Sequence, residues 1–214
     1  MSFEIRSITR TEALPLFQRY HGYKSMGGVC TYLFGVLERG SVVAAFAWQP
    51  PAAGCARSVL PDASYGVLCL SRMVAVPKEE RNLRHLSKPL RFQVRNLIDR
   101  GRWPALVTFS DEGLGHTGHV YKCSGWKKTS RKKRSQFMDK EGRRTAPYSD
   151  GKKVEGLIKV GAAYIQRWEK HAVPPEEAAG WIEANGWRRE AIPGKFWSSG
   201  NQAYRMSKQQ SMPF

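Results

Sequence analysis

Hydrophobic residues recur with two different periods along residues 3–123. Alternation of apolar and polar positions predicts strands, whereas apolar positions three and four residues apart predict helices. Segments rich in Gly, Pro and Asp between them predict turns. The predicted elements are a strand over 3–8, a helix from Thr9 or Thr11 to Tyr20, hairpin strands over 31–37 and 42–48, a strand over 66–76, a helix with the apolar stripe Leu86, Leu90, Val94, Leu97 and Ile98, a strand over 104–110, and a short helix over 116–123.

The order of these elements predicts the fold class. Strand, helix, strand and helix over 66–123 imply a right-handed crossover between two parallel strands. Ligands of such sheets bind at the carboxyl ends of the strands. We therefore expect an α/β protein with a mixed β-sheet flanked by helices and a site at that edge. The segment 50–64, rich in Pro, Ala and Gly, is expected to form a loop.

The last third of the chain predicts an addition to this core. Five apolar positions form an amphipathic helical stripe: Val154, Leu157, Ile158, Ile165 and Trp168. A second, short helix is expected between the opening segment 174–177 and the closing Asn185-Gly186. We therefore expect a core over 1–150, a helical insertion near the C-terminus over 151–187, and strands over 188–214 that complete the core.

The net charge of the chain indicates which binding partners to expect. The chain has 214 residues, and 35 Lys and Arg against 18 Asp and Glu give a formal net charge of +17. A surface this positive favours a polyanion, since each neutralised phosphate releases condensed counterions. Nucleic acid is the favoured partner, although an anionic membrane or a CoA-type cofactor would also account for part of the charge.

The basic residues concentrate in the segment 122–144, where Trp126 and Phe137 lie between them. This segment is either a solvated loop or a nucleic-acid arm, and either aromatic ring could stack on a base or anchor the loop. The predicted DNA contacts are Lys127, Lys128, Arg131, Lys132, Lys133, Arg134, Arg143 and Arg144.

The four cysteines, Cys30, Cys55, Cys69 and Cys123, are widely spaced and form no CxxC pair. This spacing favours reduced thiols over a zinc ribbon or a disulfide framework. The N-terminal segment has no apolar stretch typical of a signal peptide, and no apolar run approaches the length of a membrane span. We expect a cytoplasmic protein that is neither secreted nor membrane-spanning.

Candidate chemistry lies at the end of the strand over 104–110. Asp111 follows that strand, and Tyr121 lies on the next helix, so the two could form an acid and base pair. The alternative is that Asp111 caps the helix and Tyr121 packs in the core. His116 and His119 together with Asp111 could instead bind iron, although histidines in a glycine-rich turn are more often plain loop residues.

These motifs resemble a known family. The run Leu70-Ser71-Arg72-Met73, the segment Phe109-Ser110-Asp111 and the segment 115–126 are similar to the "L-[ST]-R-[LM]", Asp and "GHxGxxYxAS-x-W" elements of the Mom family. The resemblance covers residues 15–150. It implies a GNAT-like acyltransferase fold and a phage enzyme that installs a carbamoylmethyl group on adenine N6, which hides DNA from host restriction. The catalytic residues that it implies are His21, Tyr23, Arg72, Asp111 and Tyr121.

The donor of the transferred group stays open. GNAT enzymes hold the CoA diphosphate with backbone N–H groups of an [RQ]xxGx[GA] turn at a helix N-terminus. The equivalent residues are Arg81, Asn82, Leu83, Arg84, His85 and Leu86, in which both small positions are replaced. These residues either contact acetyl-CoA through side chains, accommodate another acyl or glycyl donor, or form a solvated helix start. A carbamoylmethyl group joins nitrogen through a methylene, which requires a glycine-derived donor or a redox step.

The acceptor amine of the DNA base is also difficult to reach. The amino group of adenine is stacked and paired in a duplex, so the enzyme must extrude the base or act on locally unpaired DNA. Two other interpretations remain: a GNAT acetyltransferase of an amine on a hypermodified base, a small molecule or a protein, and a non-catalytic DNA-binding protein that blocks restriction.

Overall fold

The computed structural model of the chain describes residues 3–26, 28–142, 144–145, 148–149, 152–196 and 202–208. Within these ranges the helices are α1 (Arg10–Tyr20), α2 (Ala53–Val59), α3 (Ser87–Asp99), α4 (His119–Cys123) and α5 (Ala178–Ala184). The strands are β1 (Glu4–Ser7), β2 (Tyr32–Glu38), β3 (Ser41–Gln49), β4 (Val67–Ala75), β5 (Ala105–Asp111), β6 (Lys127–Met138), β7 (Arg144–Thr145), β8 (Tyr148–Ser149), β9 (Lys152–Lys153), β10 (Ile158–His171), β11 (Trp187–Phe196) and β12 (Gln202–Lys208).

Eight strands form the main sheet in the order β1-β2-β3-β4-β5-β10-β6-β7. β4 and β5 pair in parallel, with α3 between them in the chain, as the sequence predicts. The other described pairs of this sheet are antiparallel. The predicted α/β class with a mixed sheet flanked by helices is confirmed.

Helices cover both faces of this sheet. Leu68 and Leu70 of β4 join the largest core cluster with α3 and Tyr121 of α4, and we call this side the α3 face. Val67 and Cys69 point to the opposite side, where α2 and α5 pack. α1 packs on that same side against alternate residues of β3, and we call it the α1 face. Period-two alternation therefore assigns each strand residue to one of two helical layers.

Local sequence signals explain the N-terminal elements. Thr9 caps α1, and a capping box forms because its side chain accepts from the Glu12 N–H while the Glu12 carboxylate accepts from the Thr9 N–H. The β2–β3 hairpin turns at Arg39 and Gly40, whose φ angles of 51° and 80° are those of a tight turn with two left-handed residues. The predicted first helix and hairpin are confirmed.

Two predictions of local structure are wrong. The segment 50–64 contains α2, which buries Ala56 and Val59 against the α1 face. The segment 154–168 does not form a helix, because Ile158–His171 is the 14-residue strand β10. β10 inserts between β5 and β6 and pairs with both, so its backbone is bonded on two edges. Ile158, part of the supposed apolar stripe, is 61% exposed.

The predicted short helix near the C-terminus is present as α5, which packs Ala178 and Ile182 on the α1 face. The strands predicted beyond it also form, as β11 and β12. They pair with each other in a separate two-stranded sheet and do not complete the main sheet. Within the described residues, no helix combines the length and the apolar character that a bilayer crossing requires.

β6 and β10 extend beyond β5 as an antiparallel ribbon, and β7 pairs with the end of β6 at Phe137 and Met138. β5 ends at Asp111, which pairs with Ile165. The β10 residues 158–164 therefore have β6 as a partner but no described partner in β5. At roughly 3.3 Å per residue, this ribbon is about 25 Å long. We refer to residues 131–138 with 158–165 as the ribbon.

Candidate active site

A cleft opens where β4 and β5 separate. Their parallel pairing extends from Val67 opposite Ala105 to Leu70 opposite Thr108. β4 then continues to Ala75 and β5 to Asp111 without a described pair between them. The carboxyl ends of the two strands therefore border an opening at the edge where the sequence predicts the site.

A β-bulge at Ser71 directs Arg72 into this region. Ala47 pairs with Arg72 and Trp48 pairs with Leu70, so Ser71 is an extra residue in β4. The Ser71 hydroxyl donates to the Ala47 carbonyl. The bulge reverses the alternation, and Arg72 consequently lies on the α1 face although Leu70 lies on the α3 face.

The segment after α1 brings His21 and Tyr23 to Arg72. The His21 N–H donates to the Phe17 carbonyl and ends the helix. The Tyr23 N–H donates to His21 Nδ1 at 3.1 Å, and this bond bridges the intervening Gly22. The Arg72 guanidinium lies 5.1 Å from the centre of the Tyr23 ring, a cation–π distance. The structure thus assembles three of the predicted catalytic residues.

Asp111 completes the cluster and is 8% exposed. Its Oδ1 accepts from the Gly113 N–H at 2.8 Å and from Gln136 Nε2 at 3.1 Å. Arg144 Nη1 lies 3.8 Å from Oδ2, while Arg144 Nη2 donates to the Gly113 carbonyl. Asp111 also interacts electrostatically with Tyr23. These contacts fix the carboxylate at the end of β5 on the α1 face.

The electrostatics of the cluster favour uncharged aromatic side chains. Burial, followed by the charge of Arg72, lowers the pKa of His21 to about 4, so its imidazole is neutral at pH 7. Because Nδ1 accepts a hydrogen bond, the proton of this neutral ring is assigned to Nε2, which can donate. Burial and then the Asp111 charge raise the pKa of Tyr23. Burial also lowers the pKa of His116.

Two guanidinium atoms in the cluster are buried donors. Arg72 Nη1 donates to the Ser71 carbonyl, but Arg72 Nε makes no hydrogen bond within the described residues. Arg144 Nη1 likewise makes none there. Buried donors of this kind are ordinarily satisfied. A ligand with carbonyl or carboxylate oxygens would match them.

Tyr121 does not lie beside Asp111, so the predicted acid and base pair is wrong. Tyr121 packs on the α3 face against Trp126 and Trp168, with ring centres 5.9 and 6.0 Å away. Burial raises the pKa of its hydroxyl to about 12. Asp111 follows Val107 in alternation and lies on the opposite face of β5.

The iron site is also unsupported. His116 precedes α4 and lies near Asp111 and Arg144, whereas His119 begins α4 and its Nε2 lies 3.3 Å from Cys123 Sγ. Gly118, with a φ of +74°, separates the two histidines. Across the described ranges, His, Cys, Asp and Glu side chains do not gather in a group that could hold a metal ion.

Two N–H groups of the turn predicted to hold CoA are already occupied by a carboxylate of the chain. The Asn82 and Leu83 N–H groups both donate to the carboxylate of Glu38, at the end of β2. The Arg81 guanidinium donates hydrogen bonds to the Val76 and Leu83 carbonyls. Arg84 and His85, which are also predicted to contact CoA, are exposed to solvent. No step of the chemistry is therefore assigned to CoA.

Comparison with known proteins identifies the family. The Mom protein family model matches residues 2–174, most of the chain. The chain belongs to the Mom family. The protein is a transferase. No curated protein matches the chain in sequence.

Solved structures show the fold of this Mom-family chain. The ribosomal-protein-S18-alanine N-acetyltransferase of Escherichia coli is similar over 81% of this chain and 97% of its own, with 15% identity and a TM-score of 0.51. A putative phosphinothricin N-acetyltransferase is 8% identical over 81% of this chain and 100% of its own, with a TM-score of 0.49. The predicted GNAT-like fold is confirmed.

The predicted DNA contacts of the Mom-family chain divide between the two faces of β6. Directly opposed residues share a face. Lys127, Lys132 and Arg134 pair with Glu169, Ile165 and Ala163 and share the α1 face with Asp111. Lys128, Arg131 and Lys133 lie on the α3 face, and Arg143 lies outside the described residues. Arg144 belongs to the Asp111 cluster.

Some of these predicted contacts already have partners. Arg131 forms a two-pronged ion pair with Glu112, at 2.8 and 2.7 Å, and its guanidinium lies 3.4 Å from the centre of the Tyr164 ring. Sequence reasoning missed the roles of Gln136 and Glu38. Both act through contacts across the sheet, for which local spacing offers no signal.

Proposed function

We propose that this Mom-family chain transfers a carbamoylmethyl or related acyl-type group to an exocyclic amine of a DNA base. Adenine N6 is the first candidate, and the product protects phage DNA from restriction. The supporting observation is the cluster of Tyr23, Arg72 and Asp111 at the opening between β4 and β5. One carboxylate, buried guanidinium donors and a neutral imidazole suit an amine acceptor and an oxygen-bearing donor.

The residues have distinct roles in this proposal. The Asp111 carboxylate accepts a hydrogen bond from the amine and takes its proton as nitrogen bonds to the transferred carbon. The bond between that carbon and the carrier of the donor breaks in the same step, and the carrier leaves with the electron pair. Arg72 Nε and Arg144 Nη1 donate to an oxygen of the transferred group, and His21 Nε2–H adds a neutral donor. Tyr23 positions the Arg72 guanidinium through its ring.

The ribbon is the proposed DNA-docking element. A major groove about 12 Å wide admits a two-stranded β-ribbon. The residues Lys132 and Arg134 are exposed on the face that carries Asp111. The ribbon touches the site directly, since Gln136, which pairs with Gly161 towards the far end of the ribbon, donates to Asp111. Backbone contacts there would hold DNA while one base is extruded towards the cleft.

The chemistry is tested by nucleoside mass spectrometry of DNA from cells that express the chain. We expect a new mass on deoxyadenosine with the wild type and none with Asp111→Asn, which keeps the size of the side chain. Glu155→Gln, an exposed site after β9, is the matched control and should keep the modification. An unmodified nucleoside pool with the wild type, despite soluble expression, would refute the proposal. A mass on another nucleoside would redirect it to that base.

The docking surface is tested by DNA binding with two matched double variants. Lys132→Ala with Arg134→Ala removes two cations from the Asp111 face, and Lys128→Ala with Lys133→Ala removes two from the α3 face. If the first pair binds phosphates, the slope of log K against log salt falls by about 1.8, at about 0.9 per contact. The second pair should change the slope far less. Equal losses in both would show that the ribbon face is not the docking surface.

A further inference from the structure

A carboxylate from β2 occupies the turn that precedes α3. Glu38 is buried, at 9% exposure, and its two oxygens accept from the N–H groups of the consecutive residues Asn82 and Leu83. The bond from Asn82 is 2.7 Å long, typical of a charge-assisted hydrogen bond. Consecutive backbone N–H groups in a turn form a concavity that binds anions. The turn therefore holds an anion that the chain itself supplies.

The surrounding side chains reinforce this arrangement. Arg81, which directly precedes the turn, donates to the Val76 and Leu83 carbonyls. It also interacts with the Glu38 charge. The N–H groups of Asn82 and Leu83 are thus directed at Glu38, and the Arg81 guanidinium is directed at the backbone.

We propose that Glu38 is a specificity residue that takes the place of a phosphate group in this turn and excludes donors recognised through a diphosphate. A diphosphate at Asn82 and Leu83 would have to displace a buried carboxylate or bear its repulsion at close range. The donor is then recognised by its small oxygen-bearing group at Arg72 and Arg144. This statement concerns the turn alone and stands whether or not DNA is the acceptor.

The test measures binding of coenzyme A and of inorganic pyrophosphate by calorimetry, with no DNA present. Wild type is compared with Glu38→Ala and Glu38→Gln. The control, Glu79→Ala, removes an exposed carboxylate near the same turn. We expect no saturable binding of either probe to the wild type or the control up to millimolar concentration. Glu38→Ala should gain binding at least tenfold, since two N–H groups and their potential become available.

Thermal stability supplies a second readout. Glu38→Ala leaves two buried donors without their acceptor, so its melting temperature should fall. Pyrophosphate at constant ionic strength should restore part of that loss and leave the control unchanged. If Glu38→Ala does not fold, Glu38→Gln decides, because its amide oxygen keeps one acceptor while the charge is gone. Tight wild-type binding of coenzyme A, or no gain in either Glu38 variant that folds, would overturn the proposal.

Discussion

Gly118 provides a sharp test of how the motif between β5 and α4 is built. It caps α4 with a φ of +74°, in the left-handed region. A Cβ there would lie 2.5 Å from Trp168 Cε2 and 2.7 Å from Nε1. The indole is buried, donates to the Ser110 hydroxyl at 3.0 Å and packs against Tyr121, so it has little room to move.

The expected destabilisation of Gly118→Ala has two parts. A left-handed conformation costs an L-residue roughly 1–2 kcal/mol. Forcing a methyl group against a packed ring adds about 1–3 kcal/mol. We therefore expect the free energy of unfolding to fall by about 3 kcal/mol, and the melting temperature by about 6–12 °C for a chain of this size.

Gly115 is a matched control for the backbone part. It has the same φ of +74°, but a Cβ there would meet no described heavy atom within 4 Å. Urea unfolding of both alanine variants should show that Gly118→Ala loses about 1–3 kcal/mol more than Gly115→Ala. Equal losses would mean that the indole is not held as the structure shows.

Three further predictions follow. Tyr121→Phe should keep the transfer activity, because Tyr121 packs in the core on the α3 face, and should change stability by no more than about 1 kcal/mol. Asp111→Asn should abolish activity in the same mass-spectrometric assay. The pKa of His21 is lowered from its ordinary 6.5 to about 4 in the folded state. The neutral imidazole therefore contributes fully to stability above pH 6.5, and this contribution falls as the pH is lowered towards 4. In His21→Gln the free energy of unfolding should depend less on pH across this window.

The sequence predicted those elements whose own residues determine them. α1 has its capping box, the β2–β3 hairpin has its turn, and β4 and β5 are apolar runs bounded by turn residues. β10 was misassigned because it is defined by partners far away in the chain, with bonds to both β5 and β6. α2 was missed because no side chain caps it and tertiary burial of Ala56 holds it in place.

The same division applies to the site. Arg72 and Asp111 were predicted because each lies within a recognisable strand-end motif. Sequence spacing does not show on which face of β5 the following helix packs. It therefore predicts Tyr121 in the cleft, although Tyr121 belongs to the core. Glu38 and the turn at Asn82 that it contacts are more than forty positions apart in the sequence, so no local pattern predicts that contact.

The bulge at Ser71 makes the site sensitive to chain length as well as to residue type. Deleting this one residue would leave Arg72 next to Leu70 and still opposite Ala47, so regular alternation would keep it on the α1 face. Adding one residue to β3 opposite Ser71 would instead remove the bulge and return Arg72 to the face of Leu70 and α3. A homologue that keeps the Leu-Ser-Arg spacing but pairs it without a bulge would therefore lack the guanidinium in its cleft.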